Sequence, residues 1–383
     1  VQGCDHMWKG FEANANSTTS IYAPLGDRNT IRDAEIAIQA NHGATVNLRQ
    51  TDFINNYLGI YIPPTKEPDG NEIDLNGLWG LSFETDGDFL APFSGQSLLP
   101  SDVGYAGAEI HDMPAISLSG IPFGPSATFR NYFRNLANGV LAYNTQLQIF
   151  RTTFEDIQTE SAYAVSGRGI SVESPAFGGS ASGLVQKGYG EESFNDPSFT
   201  NCHTGIFLQN ADANISQNRM EKMTRGVDAQ YSYLTEILIE DNFIEAEERG
   251  VNSLINFNQY GAIYNNEIRM DNSAMPNNSV AVLCNEGPLA ASWQVNNNVI
   301  LLNRSRDGIF MRSSYESRVR NNSISMDVLN QYSINRYNGI WLEYNQFGEV
   351  ACNDINGNAS LGSANYKEAN GIVKITINRP EVR

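Results

Sequence analysis

The side chains that could do chemistry in this 383-residue chain are few, and most stand apart from one another. The histidines His6, His42, His111 and His203 show no metal-ligand spacing. No Gly-x-Ser-x-Gly motif offers a nucleophilic serine. Cys4, Cys202, Cys284 and Cys352 are too sparse for a disulfide scaffold and are expected to be buried free thiols. Two acidic glycine turns, Asp69-Gly70-Asn71-Glu72-Ile73-Asp74 and Glu84-Thr85-Asp86-Gly87-Asp88, hold oxygens of the kind calcium takes. Neither follows the EF-hand spacing, so plain polar turns are the simpler reading, and no metal or other cofactor is assigned. Asp228, near Arg225 and Arg249, is the closest approach to an acid–base constellation, and an ordinary surface ion pair is the competing account. A hydrolase needs two positioned carboxylates. No paired-aspartate motif beside a Gly-His-Gly supplies them, and no catalytic residue is assigned.

Positioning any of these groups falls to a repeat that runs down the chain. Its first phrase is Gly, apolar, any residue, apolar. Copies are Gly59-Ile60-Tyr61-Ile62, Gly139-Val140-Leu141-Ala142, Gly169-Ile170-Ser171-Val172, Gly205-Ile206-Phe207-Leu208 and Gly226-Val227-Asp228-Ala229. Later copies are Gly308-Ile309-Phe310-Met311, Gly339-Ile340-Trp341-Leu342 and Gly371-Ile372-Val373-Lys374. The alternation predicts a short strand with two side chains in and one out. The leading glycine is read as a corner where the backbone needs unusual freedom. A second phrase, rich in Asn around one Phe, Ile or Val, lies upstream: Asp52-Phe53-Ile54-Asn55-Asn56, Asn265-Asn266-Glu267-Ile268, Asn297-Asn298-Val299-Ile300, Asn321-Asn322-Ser323-Ile324. Asn tolerates left-handed backbone angles, and stacked amides form ladders.

Short strands, sharp corners and a repeat of roughly 21–32 residues predict an all-β fold, a right-handed parallel β-helix (solenoid) with loop excursions. The whole of residues 1–383 is expected to form a single solenoid, part of a longer protein. The pattern lapses between about 63 and 120, where Pro63-Pro64, Trp79, Phe83, Phe89 and Phe93 suggest an aromatic excursion packed outside the stack. A smaller excursion is expected at about 175–197. Ile60, Val140, Ile206, Ile309 and Ile340 are expected to be buried and stacked.

The formal charge of -18 argues against nucleic acid, which needs a basic footprint. It also disfavours anionic lipid and suits neutral sugars or cations outside a cell. No apolar run approaches the ~20 residues of a membrane helix. The outward position of the first phrase holds Tyr61, Leu141, Phe207, Phe310 and Trp341. In register these would line one face, and Tyr61, Phe207, Phe310 and Trp341 are the candidate ligand-binding residues. Cover by an excursion is the alternative.

The opening Gly3-Cys4-Asp5-His6-Met7-Trp8-Lys9-Gly10 resembles a motif of large secreted bacterial right-handed β-helix repeat proteins. So do the coils Thr128-Phe129-Arg130-Asn131 through Asn138-Gly139-Val140 and Asn338-Gly339-Ile340-Trp341 through Ala351-Cys352-Asn353-Asp354-Ile355. The resemblance implies a pectate-lyase-like architecture, extracellular or cell-surface location and export by the type IX route. It implies a non-catalytic adhesin, stalk or filament element, with polysaccharide or other surface proteins as partners. A polysaccharide lyase or glycoside hydrolase, or a phage tailspike-like β-helix, are the alternatives.

Overall fold

The computed structural model describes residues 1–24, 27–64, 73–92, 97, 99–119, 121–123, 127–174, 182–186, 197–231, 235–254, 260–271, 279–285, 291–303, 305–327, 338–343, 348–357 and 375–377. Among them there are strands and turns but no helix, and the strands pair almost entirely in parallel, coil on coil. This is the expected right-handed parallel β-helix. The chain divides into two compact units. The first is Val1–Pro175, Gly179–Glu192 and Ser198–Ile206; the second is Ala176–Gly178, Ser193–Pro197 and Phe207–Arg383.

In the first unit the Gly-apolar phrases stack in register as Ile38, Ile60, Ala108, Val140 and Ile170, all buried. Facing them is a ladder of phenylalanines, Phe53, Phe83, Phe133, Phe154 and Phe199. Their rings stack face to face at 4.5, 4.6, 4.9 and 5.0 Å. This column explains the glycines. A Cβ on Gly59 would sit 2.6 Å from the Phe83 ring, and one on Gly107 2.3 Å from Phe133. On Gly139 it would lie 2.3 Å from the Gly169 carbonyl and 2.6 Å from Phe154. None of the three has positive φ. The expectation of a conformationally free corner is therefore corrected: these positions are glycine because an inner ring presses on the backbone.

The second unit repeats the scheme with isoleucine. Val227, Val251, Val282, Ile309 and Ile340 form one register column. Ile244, Ile268, Ile300, Ile324 and Ile355 form the other. Of the five apolar residues expected to be buried, Ile60, Val140, Ile206 and Ile309 are, while Ile340 is half-buried. The Asn doublets divide their labour here. The first member turns the corner, with Asn265, Asn297 and Asn321 at φ of 56°, 58° and 54°. The second points inward, and Asn218, Asn242, Asn266, Asn298, Asn322 and Asn353 form a buried amide ladder. Each Oδ1 from Asn242 onward accepts from the backbone N–H and the side-chain amide of the Asn one coil earlier, at 2.9–3.1 Å.

Two further readings are corrected. Each coil carries a third strand as well as the two phrases, as in Gln146–Phe150 and in Glu236–Glu240 paired with Tyr260–Tyr264. Much of 63–120 is also coil and not an excursion. Asp74–Trp79 pairs with Thr45–Arg49, Ser82–Glu84 with Thr51–Ile54, Gly104–His111 with Leu58–Ile62, and Ile116–Ser119 with Gln146–Phe150. This coil carries a weak sequence signal because Gly107-Ala108-Glu109-Ile110 presents alanine where other copies present Ile or Val. Most of 175–197 lies outside the described residues, although Ser182–Gln186 pairs with Gln146–Phe150.

Candidate functional site

In the first unit, the outward side chains of the Gly-apolar ladder gather into one aromatic and titratable face. Register alone places Tyr61, Glu109, Leu141 and Ser171 in one row across four coils. Two residues further along each strand, His111, Tyr143 and Glu173 form a second row. Tyr57, just before Leu58–Ile62, and Tyr105, near the start of Gly104–His111, stack at 5.8 Å. The segment after Ile157 folds back over the sheet. Gly167 N–H donates to the Ala137 carbonyl at 2.7 Å, and Asn138 Nδ2 to the Val165 carbonyl at 2.9 Å. This lays Tyr163 against Tyr57 and Tyr105, at 6.1 and 5.2 Å, with its hydroxyl donating to the Val103 carbonyl. Leu58, Ala106 and Leu141 form a buried apolar cluster against which Tyr57, Tyr61, Tyr105, Tyr143 and Val165 pack.

The polar groups are held firmly. His111 Nε2 lies 2.9 Å from Glu109 Oε1. The imidazole stacks on Tyr143 at 4.7 Å and meets the edge of Tyr61 at 6.2 Å. Arg168 Nη1 donates to Glu173 Oε1 at 2.5 Å and to Ser171 Oγ at 3.0 Å, and Ser171 donates to Glu173 at 2.7 Å. Burial raises the phenols of Tyr57, Tyr61, Tyr105, Tyr143 and Tyr163 above their ordinary value, Tyr105 to about 12. The carboxylate of Glu109 adds to the shift at Tyr57, Tyr61 and Tyr105, and that of Glu173 at Tyr143. These hydroxyls therefore remain neutral donors and acceptors at ordinary pH. Half-buried aromatic rings beside fixed hydrogen-bonding groups suit an amphipathic ligand.

Of the residues singled out from sequence, Tyr61 belongs to this face. Phe310 and Trp341 lie in the second unit, stacked at 4.8 Å and half-buried, with the Arg306 guanidinium 5.9 Å from the indole. Their row begins with Asp228, Asn252 and Leu283, so it is aromatic at one end only. Phe207 is 7 % exposed, which leaves little ring for a ligand. Asp228 is 2 % exposed and not the surface group expected. It accepts from Arg225 at 3.1 Å, Gln230 at 2.9 Å and Asn252 at 2.7 Å, and so has no lone pair facing solvent for acid–base work. Arg225 reaches on to Glu248, while Arg249 donates to the Glu248 carbonyl.

Cys202 and Cys284 are buried as expected, and burial pushes the Cys202 thiol up to about 12. Cys4 and Cys352 are exposed, a correction. In the acidic turns, Glu84 pairs with Arg134, and Asp86 with Arg32 and Asn55. Residues 69–72 lie outside the described residues. Sequence reading weighs His111 only as a metal ligand and does not single out Glu109, Tyr105, Tyr143, Arg168 or Glu173, although the Gly107-Ala108-Glu109-Ile110 phrase carries Glu109 in the outward position.

No protein-family model and no curated protein matches this chain. Two solved structures are similar, the periplasmic alginate epimerase AlgG and a double mutant of it, at 11 % and 10 % identity. Each alignment covers 84 % of this chain and 77 % of the other at a TM-score of 0.31. Likeness at that level says nothing of what this chain does. Among the described residues no helix is long and apolar enough to cross a membrane.

Proposed function

We propose that this chain is a glycan-binding β-helix that works at or outside the cell surface, as an adhesin or stalk element whose ligand is a polysaccharide. One observation carries the reading: the Tyr57–Tyr105 stack, Tyr61, Tyr143 and His111 stand on adjacent coils beside Glu109, on a single face. Adjacent strands are about 4.8 Å apart. That is close to the advance of one pyranose along an extended chain, so successive rings can meet successive sugars. Aromatic faces take the C–H side of a sugar, and phenol, imidazole and carboxylate take its hydroxyls.

Titration of the purified chain with soluble polysaccharides tests this. Tyr61→Ala and Tyr143→Ala are expected each to weaken binding by about 3–10-fold, in line with aromatic contacts of ~0.5–1.5 kcal/mol. Unchanged affinity in both would remove the reading. The enzymatic alternative rests on the Glu109–His111 hydrogen bond, since a carboxylate holding an imidazole is how a general base is oriented. Release of unsaturated or reducing sugar, abolished by His111→Ala, would put that alternative in first place.

A further inference from the structure

We propose that the glycan taken by this face carries protonated amino groups and neither carboxylates nor sulfates. The inference rests on the glycan-binding reading and narrows it to a ligand class. Among the described residues, Glu109, Glu173 and Arg168 are the charged groups hydrogen-bonded within the face, and the carboxylates of Glu160 and Asp102 act on Tyr163 at its edge. Arg168 is matched within its own strand, against Glu173 and Ser171. Glu109 is different: its hydrogen bond is to an imidazole, through Oε1. Its side chain is 18 % exposed, so the charge is only partly screened by water. Tyr61 stands beside it one coil away, and its field reaches Tyr57, Tyr105 and Tyr143.

A half-buried carboxylate among tyrosine rings is a site for a cation. An ammonium donates to the carboxylate and lies beside the tyrosine rings, whose π-electrons and phenol oxygens attract positive charge. A uronate or sulfated sugar would bring a second negative charge to Glu109 with no spare guanidinium from Arg168 to receive it. The formal charge of -18 on the whole chain adds long-range repulsion for a polyanion and attraction for a polycation.

The test uses the intact chain and three oligosaccharides of equal length. These are a β-1,4-linked N-acetylglucosamine oligomer, its fully deacetylated form at a pH where the amines are protonated, and a galacturonate oligomer. Calorimetry at low and high salt reads the affinities. The deacetylated oligomer is expected to bind on the order of tenfold more tightly than the acetylated one, with the gap closing as salt rises. Glu109→Gln should abolish that preference, so that the deacetylated and acetylated oligomers bind this variant within about twofold of each other. Equal binding of the two, or tightest binding of galacturonate, overturns the inference and leaves glycan binding standing. No binding of any of the three by the folded wild-type chain removes both. Because the comparison of probes is made on the wild-type chain, it stands even where Glu109→Gln fails to fold.

Discussion

At the scale of single residues, glycine in this fold acts by being small. Gly139 shows it: a methyl group there would meet the Gly169 carbonyl at 2.3 Å and the Phe154 ring at 2.6 Å. Neither neighbour can retreat, one being backbone in a register pair and the other a ring stacked on both sides at 4.9 and 5.0 Å. Gly139→Ala should therefore destabilise by about 3 kcal/mol, the upper end of overpacking costs. Gly87→Ala, with nothing within 4 Å, should leave the denaturant midpoint nearly unmoved. Equal effects of the two would show that backbone freedom, not packing, selects these glycines. The repeat itself was legible from sequence because glycine and the apolar pair recur at fixed spacing. The cause was not legible, since the ring that excludes a Cβ is supplied by a neighbouring coil far along the chain. Asp228 carries the same lesson. Its position facing away from the Val227 column was readable, but its burial depends on Asn252, which register brings from 24 residues away.

At the scale of elements, the Asn doublets join a corner to a ladder. Asn266 uses its amide fully: Oδ1 accepts from Asn242, and the two N–H of Nδ2 are shared among the Ile239 carbonyl, the Tyr264 carbonyl and Asn298 Oδ1. Asn266→Ala leaves the buried Asn242 N–H without its acceptor, while the Tyr264 carbonyl keeps the Asp241 N–H. At ~1–3 kcal/mol for an unsatisfied buried group, the loss should be about 1–3 kcal/mol, read as a drop in denaturant midpoint. Asn265→Gly, at a corner with φ of 56°, should be close to neutral, since glycine adopts that conformation without strain. A neutral Asn266→Ala would mean that water or a relaxed backbone replaces the ladder. The phrase was legible as Asn-rich corners with stacked amides. The third strand of each coil was not, because segments such as Gln146–Phe150 carry neither Gly nor Asn to mark their phase. The coil at Gly104–His111 was hidden by Ala106 and Ala108, and with it went the acid and the imidazole on which the candidate site depends. Sequence thus exposed the scaffold more readily than the site, since a scaffold repeats and a site occurs once.

At the scale of the whole molecule, charge and tyrosine burial act together on stability at high pH. The chain carries -18 at pH 7, so each further ionisation adds to an already negative molecule. Tyr57, Tyr61, Tyr105, Tyr143 and Tyr163 are held protonated chiefly by burial, and Tyr264 chiefly by its hydrogen bond to Glu240. The sign of the effect follows from linkage. Below an unfolded-state pKa of about 10, these phenols are protonated whether the chain is folded or not, and their contribution to stability is fully present. Above it, the unfolded chain releases protons that the folded chain retains, so the equilibrium moves toward unfolding. For Tyr105 and Tyr264, the loss runs from about 10 to the folded value of about 12. A base titration followed by phenolate absorbance and circular dichroism should show these tyrosines ionising late, together with loss of the strand signal and not ahead of it. Added salt should shift the transition to higher pH by screening the accumulated negative charge. Phenolate appearing at the ordinary tyrosine pKa across the whole set, with the fold intact, would mean that Tyr57, Tyr61, Tyr105, Tyr143 and Tyr163 are not packed against the coils as the structure has them.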